Sequence, residues 1–152
     1  MYQLSALRPE DRDELLEMFA RCSARTLYDR FMTFAADAGS EHVDLLLRDQ
    51  ESLSLVLRCG RRVVGVGSLF FCGPRLAEIA LLVEDGFQGR GAGRVLATGL
   101  CEHAAELGLS RLELTLLAGN TRIVGLFRSI VSGARFGPAD AGVVTGDLQL
   151  AA

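Results

Sequence analysis

At 152 residues, 49% of them hydrophobic and with a net charge of −3, the chain has the size and apolar content of one folded domain rather than a disordered segment. The slight acidity, and a longest basic run of only Arg61-Arg62, argue against a nucleic-acid-binding surface. The longest nearly apolar run, Val63 to Gly73, falls short of the roughly 20 residues of a membrane-spanning helix, and the opening segment has no basic-then-apolar leader, so a single cytoplasmic domain over 1–152 is expected.

Tyr2 to Leu7 reads as a short strand. Pro9 suits the first turn of a helix, and Glu10 and Asp11 suit its dipole. Leu15, Leu16, Phe19 and Cys22 then recur at helical spacing. "SARTLYDRFMTF" continues as a second helical piece, and Ser40 is placed to cap a third that carries Val43, Leu46 and Leu47. The next section is β-rich: "SLSLVLRC", "RRVVGVGSLFFC" and "RLAEIALLVED", divided at Gly60 and Gly73-Pro74, predict three consecutive antiparallel strands. Gly91 to Leu107 predicts a helix with Leu96, Leu100, Ala104 and Leu107 on one face, stopped by Gly108. "RLELTLL" alternates as a strand, Asn120 opens a last helix, and "AGVVTGDLQL" closes as a strand. The order β, helices, β-β-β, helix, β, helix, β implies a mixed α/β (α+β) fold.

Cys22, Cys59, Cys72 and Cys101 stand singly and make no paired-ligand spacing with His42 or His103, so no metal site is expected. Each lies in an apolar context and reads as a core residue; disulfides are not expected. All 16 basic residues are arginine, so the chain offers an acylating reagent no side-chain amine of its own.

The chemistry concentrates in "FQGRGAGRVL", Phe87 to Leu96. Gly89, Gly91 and Gly93 occupy alternate positions between a strand and a helix. Helix N-termini bind anions through free N–H groups and a partial positive charge. Glycines let backbone approach a phosphate, and Arg90 and Arg94 can add charge-assisted contacts. The plainer reading is a tight strand-to-helix turn. A Walker loop is excluded, because it needs a lysine. The dinucleotide fingerprint Gly-x-Gly-x-x-Gly fits poorly, because the glycine spacing differs and Glu84 to Gln88 intervene after the strand.

Gln88 to Gly93, "QGRGAG", resembles the Gln/Arg-x-x-Gly-x-Gly/Ala signature of the GCN5-related N-acetyltransferases, the GNAT superfamily. "AEIALLVEDGF" looks like that family's fourth strand. Asn120 with Leu126-Phe127 loosely resembles its later Asn-x-x-Ala-x-x-Leu-Tyr segment. "CSARTLYDRFM" is similar to the acetyltransferase domains of bacterial protein lysine acetyltransferases of the Pat type. The resemblance implies a mostly antiparallel mixed sheet of six to seven strands flanked by about four helices, and acetyl-coenzyme A as acyl donor. It implies that Gln88, Gly89, Arg90, Gly91, Ala92, Gly93 and Arg94 cradle the pyrophosphate. The pantetheine arm would pair with backbone at Leu81, Leu82 and Val83. Asn120, which can equally be a plain helix cap, would meet the cofactor near its sulfur, with Phe127 beside it.

Acyl transfer to an amine needs the neutral amine, and neutralising a lysine at pH 7 costs about 4.6 kcal/mol. A carboxylate can take the proton. Glu78, in an otherwise apolar strand, matches the position where Pat-type enzymes carry their base. Its bland alternative is a solvent-face glutamate paired with Arg75 or Arg62. Glu84 and Asp85 are weaker candidates that look like turn residues. Phe127 stands where many relatives have a tyrosine acid and cannot donate a proton. Tyr28 is a wall of the acceptor site or a core aromatic. The expected function is N-acetyl transfer to a primary amine, a protein lysine first. A small amine acceptor, or a non-catalytic acyl-CoA-binding module, is the alternative. A monomer or homodimer is expected.

Overall fold

A computed structural model describes residues 1–33 and 37–151 of the chain. Strand β1 (Tyr2–Ala6) leads through a 3-10 turn at Pro9–Asp11 into helices α1 (Arg12–Arg21), α2 (Ala24–Phe31) and α3 (Ala38–Arg48). Strands β2 (Ser52–Cys59), β3 (Arg62–Gly73) and β4 (Leu76–Val83) follow. Then come a 3-10 turn at Asp85–Phe87, α4 (Ala92–Glu106), β5 (Arg111–Leu117), α5 (Thr121–Ile130), β6 (Gly133–Phe136) and β7 (Val143–Gln149). The predicted order holds except that strand β6 is added between α5 and β7. The three expected N-terminal helices are present: the chain turns extended at Cys22, and Ser23 restarts it by accepting from the Thr26 N–H. Helix α3 starts at Ala38, so Ser40 lies inside it and donates to the Asp37 carbonyl rather than capping.

All strands join one sheet in the order β1-β2-β3-β4-β5-β7-β6. Neighbours are antiparallel except β4 and β5, which are parallel because α4 carries the chain back across the sheet between them. That parallel pairing is short: Leu76↔Arg111, Ala77↔Leu112 and Glu78↔Glu113. Beyond it, β4 stays paired to β3 as far as Val83↔Gly65, and β5 stays paired to β7 as far as Leu117↔Val143. The sheet therefore splits into a V between Ile79–Val83 and Leu114–Leu117.

Each face of the sheet has its own core. On one, Leu96, Ala97, Leu100 and Ala104 of α4 and Phe127 of α5 pack on alternate residues of β2, β4 and β5. On the other, Leu15, Met18 and Phe19 of α1 and Val43 and Leu46 of α3 cover Val56, Val66 and Leu82. The cysteines divide: Cys22, Cys59 and Cys101 are half-buried against these cores, but Cys72 is exposed at the end of β3, where the strand leaves the core. No helix among the described residues is long and apolar enough to cross a membrane.

Candidate active site

The V in the sheet is the mouth of a cleft of about 350 Å³. One wall is Glu78 to Val83 of β4, the other Leu114 to Leu116 of β5. Helix α2 adds Thr26, Asp29, Arg30 and Phe31; α5 adds Ile123 and Leu126 with Asn120 before it; and Gln88, Gly89 and Gly93 close the loop end. The volume is that of a small-molecule site. Backbone groups facing a gap between diverging strands lack a ladder partner and need one. An extended ligand carrying amides has the groups to supply one.

The glycine loop leaves free backbone donors at the start of α4. Gly91 occupies the N-cap of α4 with φ +83°, and Gly89 has φ +73°, a left-handed conformation that glycine adopts without strain. A Cβ at either position would point into open space, so backbone conformation, not crowding, selects glycine here. The first helical bond comes from the Val95 N–H to the Gly91 carbonyl, and no side chain caps the helix. The N–H groups of Ala92, Gly93 and Arg94 are therefore the orphan donors of the first turn. Arg90 lies over the Phe87 ring at 5.8 Å, and Arg94 reaches Ser129 Oγ at 2.8 Å. Gln88 is the keystone: its Nε2 donates to the Val83 carbonyl (2.9 Å) and to Thr26 Oγ1 (3.1 Å), and its Oε1 accepts from Arg122 (3.1 Å).

The three candidate carboxylates separate cleanly. Glu78 is exposed and lines the cleft at its closed end, where β4 and β5 still pair. Of the expected alternative partners, Arg62 is bonded to Glu84 instead. Glu84 is 3% exposed and held by Arg21 and Arg62, at 3.0 and 2.9 Å. Burial would raise its pKa, but the bonds from both arginines outweigh that and hold it below the usual value. Asp85 receives the N–H and Oγ–H of Ser23, pinning the start of α2 beside the loop. Both are committed to structure.

Asn120 sits at the N-cap of α5 but makes no side-chain cap bond; its side chain faces the cleft. Leu81, Leu82 and Val83 line the cleft, and the Val83 carbonyl is taken by Gln88. Phe127 does not line it. It is fully buried in the core under α5, and the cleft-facing residue is its neighbour Leu126. An acid at this position is thus missing in place as well as in kind. Arg90, Gly91, Ala92 and Arg94 belong to the loop but not to the cleft wall. From α2, the walls are Thr26, Asp29, Arg30 and Phe31, and Tyr28 is not among them. The sequence reading missed Arg30. Its signal was a charge four residues after Thr26, on the helix face that packs inward.

A family model for the acetyltransferase (GNAT) family matches residues 7–130. The chain belongs to that family. GNAT membership makes it an N-acetyltransferase by class, with acetyl-coenzyme A as acyl donor. The fold of the GNAT domain of S. lividans PAT superposes with TM-score 0.86 at 21% identity, over 98% of this chain and 90% of that one. The PaiA N-acetyltransferase from Thermoplasma acidophilum, in complex with coenzyme A, matches at 0.78 and 16%, over 98% and 99%. A chimera of the spermidine N-acetyltransferase SpeG from Vibrio cholerae and hSSAT matches at 0.73 and 17%, over 98% and 95%. No protein with a curated description matches the chain in sequence.

Proposed function

We propose that this GNAT protein moves an acetyl group from acetyl-coenzyme A to a primary amine, a protein lysine in the first instance, with Glu78 as general base. The observation that carries the reading is the arrangement of the cleft. Free helix-start N–H groups lie at one end, a carboxylate at the other, and about 17 Å of β4 runs between them. The donor's pyrophosphate would rest on the N–H groups of Ala92, Gly93 and Arg94, with Gln88 holding the loop against β4. Its arm would lie along Leu81 to Val83, with Asn120 facing its sulfur end. Acetyl-coenzyme A supplies an activated thioester; the amine replaces the thiol at the acetyl carbon.

Glu78 takes the proton that the amine must lose, directly or through a water. Its exposed position keeps it open to an incoming amine. No side-chain acid is required for the departing thiol, which at a pKa near ~8.5 is a fair leaving group. The protein-lysine acceptor is supported by the similarity of the first third to Pat-type domains, and by the absence of any competing lysine in the chain itself.

Calorimetric titration with acetyl-coenzyme A, beside NADH, tests the donor site without needing the acceptor. Micromolar binding of acetyl-coenzyme A is expected and none of NADH. Thiol release with a panel of lysine peptides and small amines then tests transfer. Binding without transfer to any amine would favour the acyl-CoA-binding module instead.

A further inference from the structure

Arg30 has no role in the reaction as drawn, yet it is a half-buried charge in the cleft wall. It lies in the last turn of α2, over the face of β4 that carries Glu78, Ala80 and Leu82. The half-buried Arg58, by contrast, is neutralised by Asp11 at 2.7 Å. No such carboxylate meets Arg30 among the described residues. Its Nη2 donates instead to His42 Nε2 at 3.3 Å, and its guanidinium stacks on the Phe31 ring at 5.0 Å. His42 is packed edge-on against Phe31 and Phe19, which fixes the direction of the arginine. Burial lowers the pKa of Arg30 to about 10, so it stays charged; burial and that charge push His42 down to about 4, so it stays neutral.

A guanidinium partly withdrawn from water without an anion carries a desolvation cost, and its planar fork suits a carboxylate. Glu78 acts on Arg30 only at longer range, as the one opposing charge felt there. The cleft therefore presents a positive and a negative group that do not satisfy each other. That pair complements a ligand with an amine at one point and a carboxylate close by. An acceptor without the carboxylate leaves Arg30 unmatched and repelling the ammonium.

We infer that Arg30 is a specificity residue for an acceptor whose amine has a carboxylate beside it. The inference rests on the acetyl-transfer reading. The carboxylate has two possible sources: a free amino acid, or an acidic residue flanking the acceptor lysine of a protein.

The test is calorimetric binding to the protein saturated with coenzyme A, using twin ligands. L-Alanine against L-alaninamide probes the free amino acid, and blocked Asp-Lys against blocked Asn-Lys probes the protein source. At least one carboxylate twin should bind about tenfold tighter than its amide. The preference should vanish in Arg30→Gln and be partly kept in Arg30→Lys, with coenzyme A affinity within about twofold of the parent as the folding check. The wild-type twins need no variant, so a misfolded Arg30→Gln leaves the result readable. No preference in either pair, or one that survives Arg30→Gln, overturns the inference. So does tighter binding of succinyl-coenzyme A than acetyl-coenzyme A that depends on Arg30, which would place the carboxylate on the donor. Failure of coenzyme A to bind would sink the acetyl-transfer reading instead, and the same twins on the free protein would still test Arg30.

Discussion

Glu78 and Glu84 bracket the cleft wall of one strand, and their surroundings give them opposite work. Glu84 has traded water for two arginines; Glu78 has kept its water and faces the cleft. Glu84→Gln should cost about 2 kcal/mol, below the usual range for breaking a buried pair because Arg62 is half exposed, and lower the melting temperature by about 5 °C. Glu78→Gln should leave melting unchanged and acetyl-coenzyme A affinity within about twofold, yet cut kcat at least about 100-fold. Full turnover by that variant would remove Glu78 as the base. Asn120 can be separated in the same way. It makes no cap bond, so Asn120→Ala should spare the stability of about 1 kcal/mol that a capping asparagine normally supplies. A loss of acetyl-coenzyme A affinity without a loss of melting temperature would assign it to the ligand.

At the scale of elements, the loop before α4 acts through its backbone. Gly91→Ala would force an alanine to φ +83°, at a cost of about 1 kcal/mol or a loop that relaxes away from the proposed pyrophosphate position. Acetyl-coenzyme A binding should weaken at least about tenfold. Gly93 lies within the helix, where an added Cβ would meet Leu126 Cδ2 at an ordinary 3.6 Å, so Gly93→Ala should fold with unchanged stability. Equal loss in both variants would mean that space, not backbone conformation, governs the loop. This element was legible in the sequence because glycine spacing reports conformation directly. So were α4 and β5, whose Leu96, Leu100 and Ala104, and Leu112, Leu114 and Leu116, keep strict helical and strand periods and are buried as those periods require. Strand β6 was not. Gly-Ala-Arg-Phe has no alternation of its own and exists only by pairing with β7. The V was equally hidden, since it depends on where β4 and β5 stop pairing. The fates of the two glutamates were hidden too, since Arg21 reaches Glu84 from 63 residues away.

For the molecule as a whole, the carboxylates and the histidine that the fold perturbs favour neutral pH over acid. His42 is held near 4 by burial and by Arg30, with Phe19, Phe31 and Phe70 on its other sides. Unfolded, it takes up a proton at about 6.5. Its folded pKa is depressed, so the stability it allows is complete above about pH 6.5 and is lost as pH falls towards 4. Asp11, Glu84 and Asp85 follow. Burial raises each of them, but hydrogen bonds from Arg8 and Arg58, from Arg21 and Arg62, and from Ser23 leave all three below the usual carboxylate range. Their contribution is therefore intact above about pH 4.5 and disappears below it. Acid unfolding should come in two stages. The first, between pH 6.5 and 4, belongs to His42 and amounts to about 3 kcal/mol. In His42→Gln, an amide can still accept from Arg30 but takes up no proton, so the first stage should be absent and only the carboxylate stage should remain. Urea unfolding at pH 7, 5.5 and 4.5 in the two proteins separates the stages. If both lose stability in parallel across that range, the protonation that destabilises the fold lies elsewhere than beneath Arg30.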